Sequence, residues 1–133
     1  MKGVFGDTFY YLALVSENDA AHRQAVELSC RLFVRTISTA WVITEVADAL
    51  SEAFQRPRFL ALFEALESNP NVTIIAPDEG LFKAGLDLYA RRPDKDWSLT
   101  DCISFVVMER FNLTDALTAD HHFAQAGFNP LLI

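Results

Sequence analysis

Four acidic residues occupy places where carboxylates could act together on one edge of a predicted sheet. Asp7 directly follows the first predicted strand, and Asp120 follows a strand near the end of the chain. Asp101 opens the helix before that late strand, and Glu45 lies in the second turn of an earlier helix. Since parallel strands carry their carboxyl ends to one edge of a sheet, we expect these four side chains to converge there.

Such a cluster of carboxylates is unfavourable without a compensating cation. Two like charges about 4 Å apart repel by roughly 4 kcal/mol at an effective dielectric constant of 20. Oxygen ligands select hard divalent ions, so Mg²⁺ or Mn²⁺ is the counter-ion that fits. A carboxylate-bound ion of this kind activates water and stabilises an in-line displacement at phosphorus. The four acids therefore indicate metal-dependent hydrolysis of a phosphodiester.

Each acid taken alone also has an ordinary structural explanation. Ser98 stands three residues before Asp101, which is the spacing of a helix capping box. Asp7 and Asp120 could equally cap the helices that follow them. Glu45 is harder to explain in this way, because a glutamate beside an apolar helix face needs a partner. The ordered set of four, rather than any single acid, indicates a site.

The elements predicted to position these acids alternate between strands and helices. Short apolar or β-branched runs predict strands at residues 3–6, 36–37, 72–76, 115–118 and 129–133. Amphipathic spacing predicts helices at residues 9–14, 19–35, 58–67, 78–90, 98–110 and 123–126. A further helix begins after Ser38 or Thr39 and ends before Pro57. The alternation favours an α/β protein, a three-layer α/β/α sandwich around a central, mostly parallel sheet.

The apolar faces of two of these helices can be predicted from their spacing. In the helix over residues 19–35, the buried face should contain Val26, Leu28, Leu32 and Phe33. In the helix that follows Thr39, it should contain Val42, Val46, Ala49, Leu50 and Ala53.

Composition and charge limit the class of protein. The length of 133 residues predicts one domain over residues 1–133, and 51% hydrophobic content excludes a disordered chain. The longest apolar run, residues 9–15, is too short for a membrane span. Eighteen acidic against eleven basic residues exclude binding of nucleic acid through overall charge. The two cysteines form no C-x-x-C motif and the N-terminus does not resemble a signal peptide, so we expect a cytoplasmic protein.

Any contact with RNA must therefore use a local basic patch or a metal. Arg91, Arg92 and Lys95 lie just before the third acid, and they are the best candidates for contacts with phosphates. Each could equally be a solvated charge that balances the acids. The adjacent His121 and His122 are not expected to face one metal together, and neither is assigned a catalytic role.

Several segments, in order along the whole chain, resemble PIN-domain nucleases. Residues 7–14 read DTFYYLAL and residues 44–50 read TEVADAL, which resemble the opening and the first helix block of that family. The family's central and last motifs are more specific. Residues 96–105, DWSLTDCISF, resemble the central motif, and residues 116–123, ALTADHHF, resemble the last one. The resemblance implies a PIN-like fold and a ribonuclease that depends on Mg²⁺ or Mn²⁺.

The resemblance also implies roles for particular residues. The family's acidic metal-binding positions are occupied here by Asp7, Glu45, Asp101 and Asp120. Asp7 and Asp101 would bind the metal directly, whereas Glu45 and Asp120 would complete the site or bind through water. Supporting roles would fall to Thr8, Asp96 and Thr118.

Many stand-alone domains of this length in that family are toxins of the VapC type. The resemblance therefore implies an RNA substrate, a homodimer and a small antitoxin as partner. Two other functions stay open: a stand-alone RNA-processing nuclease without an antitoxin, and a non-catalytic PIN-fold module that binds protein. An aspartyl-phosphate phosphatase is disfavoured, because it needs an aspartate two residues after Asp7, where Phe9 stands. A receiver domain is disfavoured too, because the last lysine of the chain, Lys95, precedes Asp101.

Overall fold

A parallel five-stranded sheet forms the centre of the computed structural model, which describes residues 3–133. The strands are β1 (Val4–Gly6), β2 (Thr36–Thr39), β3 (Val72–Ile75), β4 (Asp115–Leu117) and β5 (Asn129–Pro130). They lie in the order β3-β2-β1-β4-β5, and each neighbouring pair is parallel. The predicted α/β sandwich is confirmed, with a sheet that is parallel throughout rather than mostly parallel.

Seven helices connect the strands within the described residues. They are α1 (Thr8–Val15), α2 (His22–Arg31), α3 (Ala40–Ala49), α4 (Arg56–Ser68), α5 (Glu79–Arg91), α6 (Leu99–Arg110) and α7 (His121–Gln125). The strand order reverses between β1 and β4, so right-handed crossovers place α1–α4 and α5–α7 on opposite faces of the sheet. Such a reversal opens a crevice at the carboxyl ends of the two strands, which is where ligands bind in sheets of this type.

Many of the fully buried side chains lie in β1, β4 and α6. Phe5 and Leu117 are fully buried in neighbouring strands, and Phe123 packs against Phe5 with ring centroids 6.2 Å apart. α6 buries six of its twelve residues. α5 approaches it closely at Gly85, where a Cβ atom would collide with Ile103. The residues that end β1 and begin α6 therefore stand on a tightly packed base.

Two helices end earlier than their apolar patterns predict. α2 ends at Arg31 instead of continuing to residue 35, because the chain becomes extended to enter β2, where the Arg35 carbonyl accepts a hydrogen bond from the Val4 N–H at 2.9 Å. Phe33, predicted to lie on a buried face, is therefore 89% exposed, and Val26 is exposed as well.

α3 likewise ends at Ala49 and does not continue toward Pro57. The Ser51 hydroxyl donates a hydrogen bond to the Asp48 carbonyl at 2.7 Å, which serves the end of the helix from outside it. The predicted apolar face is consequently wrong at Ala49 and Ala53, which are both exposed.

The last strand and the helices α4 and α5 differ less from their predictions. β5 covers two residues rather than five, yet the Leu131 and Leu132 N–H groups still donate to β4 and to the residue after it. α4 and α5, with 13 residues each, are as long as any helix described. Within residues 3–133, no helix has the length and apolar character needed to cross a membrane.

Candidate active site at the carboxyl edge of the sheet

Asp7 comes immediately after β1, and its side chain is buried with only 6% exposure. It occupies the N-cap position of α1, but its carboxylate makes no capping hydrogen bond. Instead, Thr118 Oγ1 donates to Asp7 Oδ2 at 2.8 Å. Burial raises the pKa of Asp7 to about 7; the Thr118 hydrogen bond opposes this rise, and the charges of Asp101 and Asp120 add to it. The capping explanation therefore fails for Asp7, whose carboxylate faces other acids.

Asp120 reaches the same place from the neighbouring strand. Its backbone N–H donates to Thr118 Oγ1 at 3.0 Å, and this is the hydroxyl that donates to Asp7. Asp120 also caps α7, because its Oδ1 accepts a hydrogen bond from the His122 N–H at 2.9 Å. Asp120 Oδ2 accepts no hydrogen bond from residues 3–133. Capping therefore uses Oδ1 and leaves Oδ2 available as a ligand.

Asp101 has both a structural role and a place in the cluster. Its N–H donates to Ser98 Oγ at 3.0 Å while its Oδ2 accepts from the Ser98 N–H at 3.1 Å, which is a complete capping box. The same Oδ2 lies 3.1 Å from His122 Nδ1. Burial raises the pKa of Asp101; the Ser98 N–H opposes that rise, the charge of Asp120 adds to it, and His122 opposes it. The capping box holds the carboxylate in place without removing it from the site.

Glu45 belongs to the site through a neighbour of Asp7. Thr8 Oγ1 donates to Glu45 Oε1 at 2.6 Å, and this bond joins the first turn of α1 to the second turn of α3. Glu45 is half-buried, and its charge is not among those that raise the pKa of Asp7. Asp7, Asp101 and Asp120 thus lie close enough for their charges to interact. Glu45 is linked to them through Thr8, the residue after Asp7.

His122 is the site residue that the sequence analysis did not assign. Its Nδ1 lies 3.1 Å from Asp101 Oδ2 and 3.4 Å from Asp120 Oδ1. Asp120, His121 and His122 each offer one ligand atom, and all three atoms lie within 4.8 Å of one another. Both histidines stand in the first turn of α7 beside its capping aspartate, so the two rings lie closer to one common point than their adjacency on a helix predicts. A histidine two residues after an N-cap aspartate was the available signal.

A layer beneath the cluster fixes the end of β1. Ser38 Oγ donates to the Gly6 carbonyl at 2.8 Å, which ties β2 to the residue before Asp7. Because Gly6 has no Cβ, the Tyr11 hydroxyl can occupy the space that a Cβ atom would fill. Burial raises the pKa of Tyr11, and its hydroxyl finds no hydrogen-bond partner in the described part of the chain.

The remaining candidates lie at the rim rather than in the cluster. Asp96 is exposed. Arg91 Nε is 2.9 Å from Asp87 Oδ2, and the Arg92 guanidinium makes two hydrogen bonds to the Asp94 carboxylate. Lys95 makes no ion pair with any residue between 3 and 133. Of the three basic candidates, Lys95 thus has the charge that is freest to meet a phosphate.

Two solved structures share this fold. VapC20 from Mycobacterium tuberculosis, a sarcin–ricin loop cleaving toxin, aligns with a TM-score of 0.85 and 23% identity over 94% of this chain and 95% of its own. FitAcB from Neisseria gonorrhoeae aligns with a TM-score of 0.64 and 18% identity, over 96% of this chain and 97% of its own. No protein-family model matches the chain, and neither does any curated protein sequence. The likeness confirms the fold expected from the resemblance to PIN-domain nucleases.

Proposed function

We propose that this chain is a metal-dependent endoribonuclease that hydrolyses RNA phosphodiester bonds. The observation that carries the proposal is the meeting of Asp7, Asp101 and Asp120 from three separate elements. Within residues 3–133, no lysine or arginine is paired with any of the three. Buried acids that repel one another indicate a site at which a cation binds. The fold shared with VapC20, a sarcin–ricin loop cleaving toxin, supports the same class of enzyme.

The donor set fits Mg²⁺ or Mn²⁺. Asp7 and Asp101 would be direct ligands, with Asp120 and Glu45 completing the site directly or through water. Carboxylate oxygens are the ligands that these hard ions prefer, and burial of Asp7 beside two other acids leaves negative charge to be compensated. When bound, the ion supplies Lewis acidity, which activates water for attack at phosphorus and offsets the charge of the phosphate.

The chain's own residues orient these ligands. The Thr118 hydroxyl fixes Asp7, and the Ser98 N–H fixes Asp101. His122 Nδ1 lies 3.1 Å from Asp101 Oδ2 and 3.4 Å from Asp120 Oδ1, so its ring links the two carboxylates and restricts their movement. Pre-positioned ligands of this kind avoid reorganisation when the charge on the phosphate develops.

Supporting residues extend the site outward. Thr8 positions Glu45 through its hydrogen bond, and Asp96 lies at the rim. Arg91, Arg92 and Lys95, close to Asp96 in the chain, would bind RNA. A local patch is needed because the net charge of −7 repels RNA as a whole.

The proposal extends to partners. We propose that the nuclease is the toxin of a toxin–antitoxin pair, acts in the cytoplasm, forms a homodimer and is inhibited by a small antitoxin protein. Support comes from the toxin fold of VapC20 and from exposed apolar residues on α4, of which Leu60 is 62% exposed. A dimer should be visible in size-exclusion chromatography with light scattering, and a clean monomer would contradict that part.

The proposal is tested by RNA cleavage in Mg²⁺, in Mn²⁺ and in EDTA. Unstructured RNAs and total tRNA are incubated with the wild type, with Asp101→Asn and with Asp48→Asn, which changes an exposed acid on α3. We expect cleavage only with metal. Asp101→Asn should reduce the rate at least a hundredfold, since removing one group that stabilises transition-state charge costs roughly 10²–10³. Asp48→Asn should cleave as the wild type does.

Two outcomes would contradict the proposal. Cleavage by Asp101→Asn at the wild-type rate would mean that the carboxylates are not the site. Absence of cleavage by folded wild type on both RNA sets would favour the non-catalytic protein-binding module. Circular dichroism on each variant checks that the fold is intact, and an amide at position 101 retains an oxygen for the Ser98 N–H.

A further inference from the structure

A cavity of about 450 Å³ lies where the end of α5 and the loop after it meet the first turn of α6. Its lining includes Cys102, the residue next to Asp101 in the first turn of α6. The volume falls within the roughly 300–1,000 Å³ that ligand pockets occupy. The end of α5 and the loop after it also line the cavity, with Tyr89, Arg92, Lys95, Asp96 and Trp97.

One part of the cavity is held rigidly. Trp97 is buried; its Nε1 donates to Gln125 Oε1 at 3.0 Å, and its ring meets Phe105 edge-on at 5.0 Å. Arg92 Cζ lies 5.0 Å from the centre of the Trp97 ring, and Asp94 holds the guanidinium through two hydrogen bonds of 3.0 Å. A guanidinium fixed in this way is a flat, preformed surface of the kind on which a nucleobase stacks.

The remaining groups of the cavity are free to bind a ligand. Tyr89, at the end of α5, is 53% exposed. Among residues 3–133, Lys95 pairs with no carboxylate, and the exposed Asp96 carboxylate accepts no side-chain hydrogen bond. These three groups can bind the parts of a nucleotide. The ammonium can bind the phosphate, the aromatic ring can stack on the base, and the carboxylate can accept hydrogen bonds from base N–H groups.

We infer that this cavity binds one unpaired nucleotide of the RNA strand and prefers guanine. The inference rests on the proposed nuclease function and assigns it a specificity pocket. A carboxylate can accept both the N1–H and the N2–H of guanine. In adenine and cytosine a ring nitrogen acceptor lies beside the amino group, and in uracil two carbonyls flank the single N–H. The lone pairs of these acceptors would repel the second oxygen of the Asp96 carboxylate. Tyr89 and Arg92 would stack on the base, and Lys95 would bind its phosphate.

Binding can be measured without catalysis. The chain has two tryptophans, Trp41 and Trp97, so Trp41→Phe leaves Trp97 as the single reporter in the cavity. The four nucleoside monophosphates are titrated in EDTA, which keeps phosphate from binding at the carboxylates through a metal. We expect quenching of Trp97 fluorescence, with a Kd for GMP at least fivefold lower than for AMP, CMP or UMP. No quenching by any nucleotide would overturn the proposal.

Two variants in this background locate the binding. Tyr89→Ala should raise the Kd for GMP roughly 5- to 150-fold, the range that the loss of one base–aromatic stack gives. Asp96→Asn should remove the preference for GMP over AMP. Phe82→Ala is the matched control, since Phe82 is an exposed aromatic on the same helix about 10 Å from Tyr89 and does not line the cavity. An equal effect of Phe82→Ala and Tyr89→Ala would overturn the proposal.

Cleavage assays separate this inference from the proposed function. Tyr89→Ala should raise KM for RNA and leave kcat near the wild-type value, whereas Asp101→Asn lowers kcat. An active wild type with GMP affinity and KM unchanged in Tyr89→Ala would overturn the pocket and keep the nuclease. Quenching by GMP that depends on Tyr89, in a chain that cleaves no RNA, would keep the pocket and overturn the nuclease.

Discussion

Helices α6 and α4 are similar in length but pack very differently. α6 buries six of its twelve residues, whereas none of the thirteen described residues of α4 is fully buried. α6 carries Asp101 and meets α5 closely at Gly85. α4 covers the core only with half-buried side chains, and an opening of about 260 Å³ separates part of it from α1 and α2.

This difference shows where the molecule needs rigidity. Asp7, Asp101 and Asp120 depend on the relative positions of β1, β4 and α6, because single hydrogen bonds such as the one from Thr118 hold them in register. Dense packing limits the movement of these three elements. No group of the proposed site depends on the position of α4, so this helix can be loosely packed and present apolar side chains to a partner.

The largest expected contrast between the two regions is in stability. Leu117 is fully buried in β4, one residue before Thr118, while Leu60 is mostly exposed on α4. Leu117→Ala should lower the free energy of unfolding by about 2–5 kcal/mol, because it removes buried methyl groups and leaves a cavity. Leu60→Ala should change it by less than about 0.5 kcal/mol. Urea unfolding followed by circular dichroism measures both.

Equal costs for the two leucine variants would show that α4 contributes to the core as strongly as β4 does. A large cost for Leu60→Ala that grows with protein concentration would indicate that a second copy of the chain covers α4. Either result would mean that α4 is not a loosely packed, exposed region of the protein.

Charge gives the second contrast, and it depends on pH. The pKa of Asp7 is 3.8 in its ordinary state and about 7 in the folded chain. Below about pH 4 the folded and unfolded chains both hold this proton. Between about pH 4 and 7 the folded chain holds more protons, so stability falls as pH rises, and above pH 7 the loss is complete. The pKa difference corresponds to roughly 4 kcal/mol.

Asp7→Asn removes this ionisation. We expect it to raise the free energy of unfolding by about 2–4 kcal/mol at pH 8, with no gain near pH 4. Asp48→Asn, an exposed control, should show no such pH dependence. Millimolar Mg²⁺ should shrink the gain at pH 8, because the ion stabilises only the chain that keeps the carboxylate. A gain that is equal at both pH values would show that Asp7 is not held in a repulsive, buried state.

The sequence was sufficient for those features of the site that follow from local rules. β1 and β4 are short apolar runs that end before an aspartate, and the spacing from Ser98 to Asp101 predicts a capping box that the structure contains. The two helices whose lengths were predicted wrongly, α2 and α3, show the limit of such rules. Phe33 continues an apolar pattern, but the chain at that point must extend to pair β2 with β1, and tertiary structure overrides the pattern.

Contacts between distant residues could not be predicted in this way. The Thr118 hydroxyl binds a carboxylate 111 positions earlier in the chain, and the same oxygen accepts the Asp120 N–H. His122 enters the site because the first turn of α7 begins at that point. The bonds from Thr118 to Asp7 and between His122 and Asp101 depend on how β1, β4 and α6 meet at the reversal of strand order, for which local sequence carries no signal. The acids and the Ser98 cap could be identified from local sequence, whereas the bond from Thr118 to Asp7 and the approach of His122 to Asp101 depend on tertiary structure.

The smallest expected effect compares two glycines of α5 and separates packing from helix propensity. Gly85 faces α6, where a Cβ would collide with Ile103; Gly80 is exposed, and a Cβ there would lie 3.4 Å from Asp78 Oδ1, an ordinary contact. Gly85→Ala should lower the free energy of unfolding by about 1–3 kcal/mol through overpacking. Gly80→Ala should raise it by up to about 1 kcal/mol, because alanine restricts the unfolded chain. Thermal unfolding of both variants measures the difference. Opposite signs for one substitution on one helix can only come from the surface that each residue faces, whereas a gain at both positions would mean that α5 and α6 are free to separate and that the base of the site is not rigid.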